Sequence, residues 1–180
     1  MLARKFLFKP ERVGLHMASI LVTGASGMLG QHLVPMLKNK GHSVLTPSRD
    51  ELDLSDAYAT SEYIKSNLPN FVVHCAAFVA GIASSKTIKH HSLDANISMG
   101  LNLIRACVKH GVANMINVGS ATVYPNEAPQ PLSESSIGDG PLEGPIEGYA
   151  LSKYVVYRAC EMANEQHNVC LLYTSPSPRD

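Results

Sequence analysis

The segment that most constrains the fold is a glycine-rich stretch that directly follows a short apolar run. Residues 19–22 are Ser-Ile-Leu-Val, and the next eight read Thr-Gly-Ala-Ser-Gly-Met-Leu-Gly. Leu29, Leu33 and Leu37 then recur at the spacing of a helix face. A buried strand, a tight glycine turn and a helix in this order predict the first βα unit of an α/β protein.

The rest of the chain repeats the alternation of strand and helix. Short apolar runs predict strands, and segments with helical periodicity predict helices. Asp53 is the predicted cap of the second helix, and Gly111 the predicted end of the third. Strands are predicted at 42–45, 71–77 and 115–118, and helices at 53–67, 93–110 and 149–165. This alternation is typical of a doubly wound parallel sheet, a Rossmann-type fold, with residues 17–169 as one domain.

The glycines predict a cradle for the phosphates of a dinucleotide. Gly24 permits the tight turn, Gly27 lets the backbone approach a pyrophosphate, and Gly30 lets the helix pack closely. An anion at this place lies against the free amides at the helix N-terminus. The predicted cofactor-binding set in this stretch is Gly24, Ser26, Gly27, Met28, Leu29 and Gly30.

The end of the second strand predicts which dinucleotide is bound. NAD enzymes place an acid there for the ribose hydroxyls, whereas NADP enzymes accommodate a 2′-phosphate with arginine. The sequence reads Pro47-Ser48-Arg49-Asp50, so Ser48 and Arg49 favour NADP(H). Because Asp50 follows immediately, NAD remains the alternative.

Three polar residues suggest proton transfer beside a bound nicotinamide. Tyr149 and Lys153 are four residues apart, so both side chains project from one face of a helix, and Ser120 follows the fourth strand. We expect Lys153 and a cationic nicotinamide together to lower the pKa of the tyrosine, and Lys153 to hydrogen-bond the nicotinamide ribose. Ser120 is expected to donate to a substrate oxygen. Ser120, Tyr149 and Lys153 are the predicted catalytic set of a nicotinamide-dependent oxidoreductase.

With these motifs the chain resembles the extended short-chain dehydrogenases/reductases, the nucleotide-sugar epimerase/dehydratase family. Within that family it is most similar to the GDP-L-fucose synthase group. The likeness rests on residues 49–54, 76–82, 119–120 and 123–125, and on Tyr149 with Lys153. The resemblance implies a nucleotide-diphosphate sugar as substrate and a homodimer formed through the helices at 93–110 and 149–165. It also implies that Asp53 and Leu54 lie by the adenine and that Ala76, Ala77 and Asn96 belong to the dinucleotide site.

One residue departs from the pattern of the fucose synthases. Those enzymes carry a cysteine two residues after the serine for epimerisation, and Thr122 stands there in this chain. Thr122 is retained as a candidate substrate contact, while residues 120–124 resemble the NAD-dependent sugar 4-epimerases. The resemblance therefore implies reduction of a 4-keto-6-deoxy sugar and leaves epimerisation at C3 and C5 open, since the partner histidine of the fucose synthases would fall beyond Val169. A 4-epimerase or dehydratase, and a non-catalytic NADP-binding sensor, stay open as alternatives.

Composition excludes several other classes. The 15 basic and 15 acidic residues give a formal net charge of zero, without the basic stripe of a nucleic-acid-binding protein. No apolar run approaches the length that spans a bilayer. The four cysteines lack paired spacing, and we expect neither a disulfide framework nor a metal site, which favours the reducing cytoplasm. The adjacent pair His90 and His91 is expected to be solvated.

Both ends of the chain are expected to lie outside the domain. Residues 1–16 are basic and suggest a leader or a start codon assigned too early. Residues 170–180 resemble one reading frame of a transposase adapter used in sequencing libraries. We therefore expect authentic sequence to stop near Val169, the sheet to be incomplete at its C-terminus, and the printed chain alone to show no turnover.

Overall fold

A computed structural model describes residues 17–81, 85–142, 144–167 and 169–174 of the chain. In that part, one sheet contains five strands in the spatial order β2-β1-β3-β4-β5, and all neighbours pair in parallel. The prediction of a doubly wound, Rossmann-type α/β fold is confirmed. The strands are β1 (Ser19–Thr23), β2 (Ser43–Leu45), β3 (Phe71–His74), β4 (Asn114–Val118) and β5 (Cys170–Thr174).

The leader at 1–16, the last residues 175–180 and Ile82 of the resemblance lie outside the described residues. The start of the segment that resembles an adapter is described, and it forms β5 beside β4. Whether this segment belongs to the natural protein stays a prediction.

Four helices of the described chain connect the strands: α1 (Gly30–Asn39), α2 (Ala57–Asn67), α3 (Lys89–His110) and α4 (Glu147–Gln166). The predicted starts of α3 and α4 were too late by four and two residues. Neither helix has a side-chain hydrogen bond at its N-cap, which is Ile88 for α3 and Ile146 for α4. Without a capping residue the sequence carries no local signal for these starts.

The predicted cap of α2 is wrong. Asp56 caps this helix, because its Oδ1 accepts the backbone N–H groups of Tyr58 and Ala59 at 2.8 and 2.9 Å. The carboxylate of Asp53 instead accepts the N–H and hydroxyl of Ser55 and closes a separate turn. Gly111 does end α3, with the left-handed φ of 72° that favours glycine.

The core lies between one face of the sheet and α2, α3 and α4. Leu21, Val72, Met115 and Leu171 stand in register across four strands and are buried. They belong to one apolar cluster together with residues of the three helices, Ile64, Leu103 and Val156.

The same face becomes polar at the carboxyl ends of the strands. Thr23, His74 and Asn117 follow the apolar row in register and are all buried. The strand order reverses between β1 and β3, since β2 lies to one side of β1 and β4 to the far side of β3. Ligands of open α/β sheets bind in the crevice at such a reversal.

Candidate active site

Gly24 makes the turn out of β1 at a place where no side chain has room. Its φ is +67°, and a Cβ on it would lie 2.6 Å from the backbone nitrogen of Ala76. Thr23 joins the two strand ends, since its Oγ1 accepts the Ala76 N–H at 3.3 Å. The backbone beyond β1 and the backbone beyond β3 therefore approach closely at the crevice.

Gly27 and Gly30 continue this turn into α1. The N–H of Gly27 donates to the carbonyl of Gly24 at 3.0 Å, and a Cβ on Gly30 would lie 2.6 Å from the Cα of Ala25. The N-terminus of α1 has no side-chain cap and no acidic residue in its first turn. A helix start of this kind favours an anion.

A cavity of about 390 Å³ opens at these strand ends. This volume is in the range of small-molecule and cofactor sites. Nine of the predicted cofactor-binding residues line it: Gly24, Ser26, Gly27, Ser48, Arg49, Asp53, Leu54, Ala76 and Ala77. The remaining lining residues are Thr23, Ala25, Pro47, Leu52, Ser55, Cys75, Phe78, His91, Ala95 and Met99.

Several predicted residues do not line the cavity. The side chains of Met28 and Leu29 are 83% and 40% exposed and lie outside it. Gly30 contributes through the close packing of α1 rather than through the cavity wall. Lys153 also lies outside the wall and is buried beside it.

Asn96 supports the cavity wall without lining it. Its Oδ1 accepts the N–H of Phe78 at 2.8 Å, while its Nδ2 donates to the carbonyls of Phe78 and Ser92 at 3.0 and 2.8 Å. These bonds hold the chain after β3 against α3. The amide of Asn96 therefore positions Phe78, and a role of Asn96 in the dinucleotide site stays a prediction.

Sequence reasoning missed the part of the wall that α3 supplies. Phe78 and His91 pack edge to face with ring centroids 4.6 Å apart, and Ala95 and Met99 follow on the helix. His91 is exposed to solvent, as expected, and it also lines the cavity. No local pattern marks His91, Ala95 and Met99, because they meet the cradle only through the packing of α3, whereas Phe78 lies in the segment 76–82 that carries the family resemblance.

The cavity suits a dinucleotide. Side chains at Gly24 and Gly30 would fill the cradle, and the uncapped start of α1 faces it. Arg49 supplies a positive charge at the end of the cavity that is formed by the segment after β2. Positive charge there suits a ribose phosphate better than a plain ribose.

Ser120 is held at the carboxyl end of β4 by a short 3₁₀ turn, Ala121–Val123. The serine is the N-cap of that turn and accepts the N–H of Thr122 at 3.3 Å. The hydroxyl of Thr122 also donates to Ser120 Oγ at 2.9 Å. Thr122 thus orients Ser120 from within the turn.

The structure brings Tyr149 and Lys153 together with Ser120. Both residues lie on α4, and Lys153 Nζ is 5.7 Å from the centroid of the Tyr149 ring. The ammonium donates to the carbonyl of Val118 at 3.0 Å, which anchors it to the end of β4. Tyr149 and Ser120 interact through a side-chain hydrogen bond.

Gly148 is a further residue that sequence reasoning missed. A Cβ on it would lie 2.9 Å from the Cα of Lys89 and even closer to that residue's carbonyl carbon. The start of α4 therefore packs directly on the start of α3. This contact places Tyr149, the next residue, at its position beside Ser120.

Burial controls the titration of the site. It raises the pKa of Tyr149, and the hydrogen bond with Ser120 opposes that rise only in part. The lowering of this pKa by Lys153 together with a cationic nicotinamide stays a prediction. Burial also lowers the pKa of Lys153 to about 8. A phenol that keeps its proton at neutral pH is suited to donate it.

Cys75 lies in the cavity wall and close enough to Lys153 to feel its charge. That charge partly opposes the rise that burial causes in the pKa of the Cys75 thiol. His74, the preceding residue, is buried with Nδ1 at 2.7 Å from Thr23 Oγ1. Burial, with a smaller contribution from Lys153, lowers the pKa of His74 to about 3.

Across 17–81, 85–142, 144–167 and 169–174, no three His, Cys, Asp or Glu side chains group as metal ligands. No helix in that part of the chain is both long and apolar enough to cross a bilayer. Its four cysteines are free thiols.

Two curated relatives of this chain are synthases of GDP-linked sugars. The GDP-L-colitose synthase of Yersinia pseudotuberculosis is 37% identical over 147 residues, which are 82% of this chain and 48% of the relative. The GDP-L-fucose synthase of Azorhizobium caulinodans is 36% identical over 149 residues, 83% of this chain and 48% of the relative. The chain thus spans about half the length of the curated relatives it matches.

Solved structures share the fold. A GDP-L-fucose synthetase from Naegleria fowleri bound to NADP has a TM-score of 0.74 and 28% identity, covering 88% of this chain and 52% of that one. MlghC, a GDP-mannoheptose C4 reductase from Campylobacter jejuni with NADP bound, has a TM-score of 0.84 and 25% identity, covering 88% and 51%. Residues 20–177 match the model of the NAD dependent epimerase/dehydratase family. The cradle, the serine and the Tyr-Lys pair sit in the matched region, and the chain belongs to the NAD dependent epimerase/dehydratase family.

Proposed function

We propose that this protein is an NADP-dependent oxidoreductase of nucleotide-diphosphate sugars that reduces the 4-keto group of a 4-keto-6-deoxy sugar. One observation carries the proposal: Ser120, Tyr149 and Lys153 converge at the end of β4, beside a cavity built for a dinucleotide. A pure binding protein has no need of the buried phenol and ammonium, which argues against a sensor.

The chemistry assigned to each residue follows from its surroundings. NADPH, when bound, supplies a hydride to the carbonyl carbon. Tyr149 donates its proton to the carbonyl oxygen, and its raised pKa keeps that proton available at neutral pH. Ser120 donates a hydrogen bond to the same oxygen. Lys153, held on the Val118 carbonyl, has two further N–H groups to direct toward the cofactor and the phenol.

The relatives support the substrate and the cofactor. Two curated relatives are synthases of GDP-linked sugars, GDP-L-colitose and GDP-L-fucose. Two solved neighbours carry NADP, and one of them is a C4 reductase. We therefore propose a GDP-linked keto sugar as the first substrate to assay.

A second candidate is an NAD-dependent nucleotide-sugar 4-epimerase or dehydratase, because residues 120–124 resemble the sugar 4-epimerases. Thr122 bears on a different question, whether the protein also epimerises other carbons. A threonine hydroxyl does not titrate near neutral pH, and here it donates to Ser120. It therefore serves as an orienting group and not as the acid or base of an epimerisation. The proposal accordingly covers reduction at C4 and leaves out epimerisation at other carbons.

The test is substitution of Tyr149 in the intact protein, with NADPH oxidation followed for GDP-4-keto-6-deoxymannose and a panel of other nucleotide sugars. Tyr149→Phe is expected to lower kcat by about 10²- to 10⁴-fold, the usual contribution of a positioned acid. NADPH affinity should stay unchanged, because the cavity wall keeps all its residues. Turnover in the variant equal to that of the wild type would refute the assignment. NAD-dependent interconversion without net reduction would favour the epimerase.

We also propose a homodimer in the intact protein, formed through the outer faces of α3 and α4. Leu151 and Met162 of α4 are 36% and 49% exposed large apolar residues on such a face. Light scattering coupled to size-exclusion chromatography tests this. Substituting both residues by aspartate should yield a monomer, and a wild-type protein that runs as a monomer would refute it.

A further inference from the structure

The segment that follows β2 is closed by a reciprocal pair of hydrogen bonds. Glu51 Oε2 accepts the backbone N–H of Ser48 at 2.7 Å, and Ser48 Oγ accepts the backbone N–H of Glu51 at 3.3 Å. The N–H of Leu52 also donates to the carbonyl of Ser48 at 3.0 Å. This arrangement is a capping box, in which each side chain satisfies the other residue's amide.

The capping box divides the segment into residues that face the cavity and residues that do not. Ser48 and Arg49 line the cavity, whereas Asp50 and Glu51 do not. The Glu51 carboxylate is turned back onto the Ser48 amide, so this acid does not face the cavity. Leu52 is buried and fixes the other end of the turn.

The turn therefore separates Arg49 from the acids at 50 and 51, while Asp53, which follows the turn, also lines the cavity with its carboxylate bonded to Ser55. The sequence places Arg49 next to two acids, and a 2′-phosphate would be repelled by either carboxylate if it faced the cavity. A carboxylate that faced the ribose would instead accept a hydrogen bond from its 2′-hydroxyl, which is how NAD-binding proteins hold the ribose. Which of these groups meets the ribose depends on how the turn is closed.

We propose that Glu51 is a specificity-determining positioning residue: by capping Ser48 it holds Ser48 and Arg49 in the cavity wall and keeps its own charge out, which selects a nucleotide with a ribose 2′-phosphate. This inference rests on the proposed function, since it concerns the cofactor of the same site. Glu51 does not touch the nucleotide; it acts through the turn.

The experiment measures Kd for NADPH and for NADH by cofactor fluorescence on the intact protein and three variants. Glu51→Ala removes the cap, Glu51→Gln keeps an acceptor oxygen for the Ser48 N–H without the charge, and Asp50→Ala removes a neighbouring exposed charge without touching the cap. In Glu51→Ala the preference for NADPH should fall by about tenfold, a factor equivalent to about 1.4 kcal/mol and the typical size of a lost cap. Glu51→Gln and Asp50→Ala should keep or increase the preference.

The outcomes separate the two proposals. A wild-type protein that prefers NADPH, with Glu51→Ala retaining that preference, overturns the inference and leaves the proposed function standing. Loss of preference in Glu51→Gln equal to that in Glu51→Ala overturns it as well, because the acceptor oxygen would then not be what matters. A gain of preference in Glu51→Ala equal to that in Asp50→Ala would show a charge effect alone and also overturn it. A wild-type protein that binds NADH better, or binds neither, overturns the NADP assignment and this inference together.

Discussion

The buried imidazole of His74 should make the stability of the protein depend on pH in a narrow window. His74 is 3% exposed, and its Nδ1 lies 2.7 Å from Thr23 Oγ1. We assign the Thr23 hydroxyl proton to the bond with Nδ1, the same oxygen accepts the Ala76 N–H, and burial of the ring disfavours its charged form. The folded state therefore holds a neutral imidazole, consistent with a pKa lowered to about 3.

The sign and size of this pH effect on stability follow from the difference in proton binding between the folded and the unfolded protein. The unfolded chain binds a proton near the ordinary pKa of 6.5, while the folded protein does not until about pH 3. Stability due to His74 is thus fully present above pH 6.5 and is lost as the pH falls, by about 1.4 kcal/mol per pH unit. Between pH 6.5 and 5 the loss is about 2 kcal/mol, and it reaches about 5 kcal/mol at pH 3.

Urea denaturation at pH 5.0, 5.5, 6.0 and 6.5 measures this loss. In His74→Asn the side-chain Oδ1 replaces Nδ1 as acceptor for Thr23, and the free energy of unfolding should lose about 2 kcal/mol less across the window than in the wild type. His32→Asn, on the exposed face of α1, is the matched control and should keep the wild-type slope. The reasoning is refuted if His74→Asn and the wild type lose stability equally between pH 6.5 and 5.

Four further substitutions test the packing around the site and the cap of α2. Gly30→Ala should destabilise the protein by about 1–3 kcal/mol and abolish NADPH binding, since a Cβ there meets the backbone of the cradle; normal affinity in a fluorescence titration would contradict this. Gly148→Ala should shift the start of α4, because a Cβ there meets the backbone of Lys89. The displaced Tyr149 should lower kcat by about 100-fold while NADPH still binds. An unchanged kcat would show that the contact with α3 has no role. Asp56→Ala should cost about 1 kcal/mol of unfolding free energy, and Asp53→Ala should not reduce the stability of α2; the reverse order would restore Asp53 as the cap.

The sequence alone predicted the fold class and most of the cradle. A strand, three glycines and a helix are contiguous, so their geometry is set by local backbone freedom and a short-range apolar pattern. The same holds for Tyr149 and Lys153, whose spacing puts them on one helix face whatever the rest of the chain does. Ser48 and Arg49 were also found, because they directly follow a strand.

Tertiary structure decided the features that depend on residues far apart in the chain. His91 and Met99 reach the cavity only because α3 packs beside the end of β3, and the hydrogen bonds of the Asn96 amide to the backbone of Phe78 and Ser92 depend on the same packing. Which way a side chain turns depends on its partners, and the burial that keeps His74 neutral comes from several elements at once. Local sequence therefore specified which chemical groups this protein has, while long-range packing determined which of them face the site and in which protonation state.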